Sequence, residues 1–238
     1  MIELTYRIHF HTPVHVGTGY GFAGFLDSVV VRDGQGHIYL PGSTIKGKAR
    51  AAARRLAHGL GLGAQLCPAG TPCGLARGAP CPVCRLFGSP QFPGQLHFDN
   101  VQLPEHYREL LTALAERDPL AARQAITQPR TGVMLSRRRR AARPEHLFTY
   151  ELVRTDLPLS GRIVGEVIGR EGWSAQDLRE DLALLWGALK LVTHLGRARG
   201  RGLGRCSIEV TSVEVDGQPF TAEDYASTLS AFTGEADP

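Results

Sequence analysis

The chain has 238 residues, enough for one domain with its own core, and 42% of them are hydrophobic, which excludes wholesale disorder. No apolar run approaches the ~20 residues of a membrane-spanning helix. The formal charge of +4 is too small to argue for a polyanion partner, but of 27 cations only Lys46, Lys48 and Lys190 are lysines. Arginine forms bidentate contacts to phosphate and stacks on bases. A GC-rich genome would also favour arginine codons, so the clustering of these cations says more than their number.

Residues 3–10 alternate apolar Leu4, Tyr6, Ile8 and Phe10 with polar partners, the period of a half-buried strand. They lack the apolar segment of a signal peptide, and a cytoplasmic chain is expected. A glycine-rich loop from His15 follows and ends beside one acid, Asp27. Residues 26–32 and 37–40 read as two arms of a hairpin around Asp33–Gly36. A helix is predicted from Thr44 to about His58, with Ser43 as N-cap and Gly59 as its stop. Lys46, Arg50 and Arg54 step by four and share a face of that helix. A helix start that presents free N–H groups together with cations suits a polyanion. Gly47, in the first turn, costs helix stability and predicts a close approach to the backbone there.

Residues 60–94 are rich in Gly, Pro and Cys and read as an insertion with little regular structure. Cys67, Cys73, Cys81 and Cys84 fall within eighteen residues as C-x5-C-x7-C-x2-C. In a reducing compartment such crowding favours metal over disulfides. Four thiolates close a tetrahedral zinc site and leave no position for water, which makes such a site structural. The rival reading is free or redox-active cysteines. Cys206 lies in a predicted strand and reads as core.

Residues 96–103 return to a strand, and 105–126 are helical with a break at Asp118-Pro119. The polar, basic segment 127–146 reads as a projecting hairpin or arm, followed by strands at 147–153 and 161–169. Leu178, Leu182, Leu185, Leu189 and Val192 give residues 174–195 the most amphipathic helix of the chain. A glycine–arginine loop and the strand SIEVTSVEV complete a unit spanning 1–222, and 223–238 reads as a loosely held tail. The order fits an α+β fold: a modified ferredoxin-like, RRM-type βαββαβ core with a zinc-binding insertion (60–94) and a projecting thumb hairpin (127–146). RNA-binding modules use the open face of such sheets.

Three further features carry chemistry. The loop Gly196–Gly204 interleaves glycines with Arg197, Arg199 and Arg201, so that amides around Gly200 and Gly202 can form a nest for phosphate oxygens. It lacks the spacing of an NTPase phosphate loop, and the bland alternative is a basic hairpin loop. The run Arg137, Arg138, Arg139, Arg140 is either a solvated face or part of the same polyanion track. Asp27 can cap a turn, bind a divalent cation, or assist deprotonation of an RNA 2′-hydroxyl. His9, His11 and His15 lie nearby in sequence, and a metal-free histidine ribonuclease is the rival chemistry.

HVGTGYGFAGFLDSVVVRDGQGHIYLPGSTIKGKAR (15–50) resembles the N-terminal signature of the repeat-associated mysterious proteins (RAMPs) of CRISPR systems, and most closely the subunit forming the helical backbone of type III effector complexes. The likeness rests on His15-Val16-Gly17, Asp27, Pro41 to Arg50, and Gly196 to Gly204; TGVMLSRRRRAARPEHLFTYE (131–151) is similar to the family's thumb. Three positions depart from the pattern: Thr18 follows Gly17 without a second glycine, Arg197 replaces a glycine, and Ser136-Arg137 stands where Asp-Arg is common. The resemblance implies a chain that polymerises with further copies of itself along a guide RNA (crRNA), beside other effector subunits. His15, Gly17, Ser43, Thr44, Lys46, Lys48, Arg50, Arg54 and residues Arg199, Gly200, Arg201 and Gly202 would then contact RNA, and Arg137–Arg140 would lie on a thumb that kinks the guide–target duplex. It further implies that Asp27 supports cleavage of complementary target RNA at regular intervals with Mg2+ or Mn2+, and that the cysteines hold Zn2+. Two alternatives stay open: a non-cleaving scaffold served by a separate nuclease, and a histidine-dependent guide-processing endoribonuclease.

Overall fold

Alternation at the N-terminus produces the strand on which the sheet is built. In the computed structural model, which describes residues 1–21, 26–68, 73, 80–166 and 174–233, the elements run in the following order. They are β1 (Ile2–Phe10), β2 (Tyr39–Leu40), α1 (Gly42–Gly59), α2 (Pro82–Phe87), β3 (Leu96–Phe98), β4 (Val101–Gln102), α3 (Glu105–Arg117) and α4 (Pro119–Ile126). The chain continues through β5 (Thr127–Ser136), β6 (Ala141–Val153), β7 (Leu159–Gly165), α5 (Ala175–Lys190), β8 (Cys206–Val215), β9 (Gln218–Pro219) and α6 (Ala222–Thr233). This is an α+β fold with antiparallel sheets. The main sheet has the order β2-β4-β7-β1-β8-β9, with β3 also paired to β7, and β5 and β6 form a separate hairpin. β1 lies between β7 (Ile2 opposite Gly165, Ile8 opposite Leu159) and β8 (Phe10 opposite Cys206), with a register shift between Thr5 and Tyr6.

Leu4, Tyr6 and Ile8 of β1 point into the core with Ile45, Ala49, Ala52 and Ala53 of α1 and Leu182, Leu185 and Leu189 of α5. Each fully buried leucine or isoleucine contributes about 1.5–3 kcal/mol. The alanine face of α1 lets the two helices approach closely: a Cβ on Gly187 of α5 would stand 2.6 Å from Leu56. Across the sheet, Arg7, His9, His11, Ser207 and Glu209 are exposed, with His9 Nε2 3.1 Å from Glu209 and His11 Nε2 3.1 Å from Ser207. α2 is tied to α5 by a bidentate pair, Arg85 Nε and Nη2 to Asp181 at 2.5 and 2.7 Å. Burial still pushes the Asp181 carboxyl up to about 6.

Several elements differ from the sequence reading. α1 begins at Gly42, after an extended Pro41, and Ser43 makes no side-chain cap. The orphan N–H of Gly42 instead donates to Asn100 Oδ1 at 3.0 Å, and a Cβ on Gly42 would stand 1.9 Å from the Phe98 carbonyl. The helix start is therefore fixed from the β3–β4 turn, a partner that local capping rules do not see. The hairpin expected over 26–40 is reduced to the bridge Arg32–Ile38 and the short β2, because 26–31 bonds instead to residues 16–20 and to β6. β7 starts at Leu159 and stops at Gly165; positions 167–169 of the expected strand lie outside the described residues. α5 ends at Lys190 instead of 195.

The expected tail is replaced by α6, capped where Thr221 and Asp224 exchange bonds of 2.9 and 3.2 Å, and docked by Tyr225 stacked on Trp186 at 5.1 Å. Positions 234–238 lie outside the described residues. The break at Asp118-Pro119 falls where the sequence puts it, with Asp118 Oδ1 accepting from the Ala121 N–H at 2.9 Å. Among the described residues no helix is long and apolar enough to cross a membrane.

Candidate nucleic-acid interface and metal centre

β5 and β6 project as a hairpin whose turn is Arg137–Arg140, all four exposed. Beside these cations the tip carries bare apolar side chains, with Leu135 and Leu147 each 68% exposed. The hairpin is held at its root by one carboxylate. Glu151, 2% exposed, accepts from Val30 N–H at 3.0 Å, Arg32 Nη2 at 2.8 Å, Arg123 Nε at 2.8 Å and Thr127 Oγ1 at 2.9 Å. Burial opposes its charge, yet the Val30 amide and the two guanidiniums outweigh that and hold its carboxyl below the usual range.

His15, expected on the RNA surface, is buried at 2% exposure and joins three segments. Its Nδ1 donates to the Glu151 carbonyl at 2.7 Å, and its Nε2 is hydrogen-bonded to the Ser28 hydroxyl at 3.0 Å. Its own carbonyl accepts from Arg197 N–H at 2.9 Å. The first loop, the hairpin root and the glycine–arginine loop thus meet on one residue. Gly17 is required beside it, since a Cβ there would stand 2.4 Å from His15 Nε2.

Asp27 is exposed at this junction. Its N–H donates to the Thr149 carbonyl at 2.9 Å, and its Oδ2 accepts from Thr149 N–H at 2.6 Å, so the carboxylate is fixed to β6. Half-buried Phe148 and Tyr150 flank Thr149, their rings 5.0 Å apart, and the Arg201 guanidinium lies 6.0 Å from the Phe148 ring. A fixed acid, two aromatic rings and a cation therefore share the root of the hairpin.

The glycine–arginine loop has two kinds of glycine. Gly196 (φ +77) and Gly204 (φ +72) pack against this chain: an added Cβ would stand 2.5 Å from the His15 carbonyl and 1.9 Å from the Leu195 carbonyl, respectively. Gly200 and Gly202 meet nothing within 4 Å. Arg197, Arg199, Arg201 and Arg205 are all exposed around them. Left-handed turns at Ala198 (φ 57) and Gly202 (φ 80) bracket the short helical turn Arg199–Arg201, a backbone that can aim successive amides at an anion.

On α1, Ser43, Gly47 and Ala51 form the exposed stripe, with Thr44, Lys46 and Lys48 half-buried around it. The close neighbour expected at Gly47 is not part of this chain among the described residues, for nothing comes within 4 Å. Two members of the four-residue cation ladder turn elsewhere, Arg50 and Arg54 reaching the cysteines, while half-buried Lys46 stays beside the stripe with its Nζ 5.7 Å over the Phe98 ring.

Cys67, Cys73, Cys81 and Cys84 place their sulfurs within 4.8 Å of one another, so the four can hold a metal ion. Cys67 lies 3.8 Å from both Cys84 and Cys81. A tetrahedral tetrathiolate with metal–sulfur bonds of about 2.3 Å has edges of about 3.8 Å, whereas a disulfide would bring a pair to about 2 Å. Burial opposes ionisation of Cys67, but the Arg54 guanidinium and the other thiols bring it down to about 7. Part of the loop, 69–72 and 74–79, lies outside the described residues. Cys206 is buried, as expected, and burial pushes its thiol up to about 11.

The residues missed by sequence reasoning are Ser28, Arg32, Arg123, Phe148, Tyr150 and Glu151. The usable signal was an acid inside the apolar strand LFTYELV, since such an acid needs cations.

The family model of the RAMP superfamily matches residues 7–207, and the chain belongs to that superfamily. Its fold is similar to a chain in the cryo-EM structure of the type III-B Cmr-beta bound to cognate target RNA, with a TM-score of 0.57 and 10% identity over 87% of this chain and 96% of that one. A search of curated proteins finds no match.

Proposed function

We propose that the chain is a guide-RNA-binding backbone subunit of a type III CRISPR effector complex that cleaves captured target RNA at Asp27. Its core is read as a modified ferredoxin-like unit. β1-α1-β3/β4 and β7-α5-β8 are two crossovers whose strands interleave in the sheet as β4-β7-β1-β8, which supports the βαββαβ reading. Superfamily membership and the fold of the Cmr-beta chain support the assignment. The observation that carries the cleavage reading is the exposed Asp27 carboxylate fixed to Thr149 at the root of the arginine-tipped hairpin, next to Phe148, whose ring the Arg201 guanidinium approaches.

In this reading guide phosphates lie along Ser43, Gly47, Lys46 and Lys48, and on the loop amides with Arg199 and Arg201, while Arg137–Arg140 contact the duplex at the hairpin tip. His15 and Gly17 shape the junction from inside. Other copies of the chain and other effector subunits complete the track, and reduced thiols at the cysteine cluster suit a cytoplasmic complex with a structural zinc ion.

Asp27 fits a Mg2+ or Mn2+ site in which water and RNA phosphates supply most ligands, the coordination Mg2+ prefers. Such an ion would supply charge neutralisation at the scissile phosphate and acidify the attacking 2′-hydroxyl. Oδ2 accepts from the Thr149 N–H, which holds the exposed carboxyl group in place.

The same bond favours a second reading, in which Asp27 only caps β6 and a separate nuclease cuts. Reconstituted effector with guide and labelled complementary RNA separates the two. We expect regularly spaced cuts in Mg2+, none in EDTA, and a loss of at least about 100-fold on Asp27→Ala, equivalent to about 2.7 kcal/mol of barrier. Undiminished cutting by that variant would remove Asp27 from the chemistry, and tight capture without cutting by the parent chain would make it a scaffold.

A further inference from the structure

The cation ladder of α1 and the cysteine cluster meet at two side chains. Arg50 Nη2 lies 3.6 Å from Cys84 Sγ, and Arg54 Nη1 lies 3.7 Å from Cys67 Sγ while its Nη2 bonds the Cys67 carbonyl. Both arginines are half-buried, whereas Ser43, Gly47, Ala51, Arg55, His58 and Gly59 take the exposed positions of the helix. Four thiolates around a divalent ion carry a net charge of −2. Three of the four cysteines are buried, where an uncompensated charge is costly. Two guanidiniums supply the matching +2, one on each of two different sulfurs.

The four-residue spacing explains how one helix does this. Positions 50 and 54 lie one turn apart on the same side of α1, and they reach two ligands seventeen residues apart in the chain. The planar fork of Arg54 engages a sulfur and a main-chain carbonyl at once, which a lysine ammonium does less well.

We propose that Arg50 and Arg54 are positioning residues of the metal centre, donating N–H bonds to ligand sulfurs of Cys84 and Cys67, and are withdrawn from the phosphate track of α1. The proposal rests on the reading that the four cysteines hold a metal ion. It narrows the track on this helix to the Ser43–Gly47–Ala51 stripe with Lys46 and Lys48, where small side chains leave the backbone open to a ligand.

The full-length chain, stripped of metal and titrated with Co2+, tests both levels. One equivalent bound with the thiolate-to-cobalt absorption of a four-sulfur tetrahedron supports the metal reading. No such band overturns that reading whatever the arginines do. Given the band, Arg50→Gln/Arg54→Gln is expected to keep its shape but lose 10- to 100-fold in affinity against a competing chelator. Binding of the same variant to labelled single-stranded RNA should keep the parent salt dependence. Unchanged metal affinity overturns the proposal. So does a salt slope shallower by about 1.4, the loss of two phosphate contacts, whether or not metal affinity also falls. If the double variant fails to fold, the single Arg54→Lys variant decides: weakened metal affinity with an unchanged RNA slope supports the proposal, and parent-like metal affinity overturns it.

Discussion

Glu151→Ala is expected to cost about 3–5 kcal/mol of folding stability, the usual consequence of removing one partner from a buried ionic network. The loss would remove the acceptor shared by Arg32, Arg123, the Val30 N–H and the Thr127 hydroxyl, leaving Arg32 the Gly36 carbonyl and Thr127 the Arg123 carbonyl. These groups join the 30–38 loop, α4 and the first residue of β5, so the hairpin root should loosen before the main sheet does. Urea unfolding read at Trp186, beside faster amide exchange in 127–153, would report it. An unchanged midpoint with unchanged exchange would refute it.

The pH dependence has a defined sign. Because the folded protein lowers the Glu151 carboxyl below its ordinary 4.5, its contribution is complete above that value and fades as pH falls through the lower folded value. The parent chain should therefore lose stability below about pH 4.5, and the alanine variant should lack that component. Asp181 acts oppositely. Raised from 3.8 to about 6, it favours the fold most below its ordinary value, and this contribution is lost as pH rises through about 6.

Gly204→Ala should be comparably damaging, at about 3–5 kcal/mol, from left-handed strain together with forced movement of neighbours. The new Cβ would stand 1.9 Å from the Leu195 carbonyl, in a loop whose Gly204 N–H donates to Pro13 and whose carbonyl accepts from Leu195. Gly200→Ala is the control, because nothing lies within 4 Å of that position. It should unfold at the parent's denaturant concentration, so any loss of RNA affinity it shows would report contact with the ligand. Equal melting of the two variants would mean that the loop does not hold the chain at residues 13–15.

What the sequence made legible was periodic or adjacent. Alternation located β1, the Asp118-Pro119 step located the helix break, and close cysteines located the four-sulfur cluster. Ordered motifs from His15 to Gly204 pointed to the RAMP superfamily, which the family model bears out. Distant partners were not legible. Nothing local says that Gly42 is capped by Asn100, that Glu151 finds Arg32, or that Tyr225 has Trp186 to stack on. The cation ladder on α1 is the clearest case: helical spacing put Lys46, Arg50 and Arg54 on one face but could not say what that face meets. For two of them it meets sulfur. His15 was picked out from its motif, and its burial at the junction follows only from contacts with residues 28, 151 and 197.

The strand edges bear on how copies of the chain can associate. Among the described residues the main sheet ends on one side in the two-residue β2, too short to template a ladder with another chain, while on the other β9 pairs only with Glu214 and Val215 and leaves most of β8 as the border. The hairpin does offer long edges, but β5 carries Pro129 and β6 carries Pro144, neither with an N–H to give, and Arg130 and Arg143 stand exposed beside them. Zippering strand to strand, the open-ended growth that ends in aggregates, is thereby discouraged at β2 and along the hairpin. In the proposed assembly, successive copies would then meet through side chains and a shared RNA strand, and that strand rather than the protein would set the length.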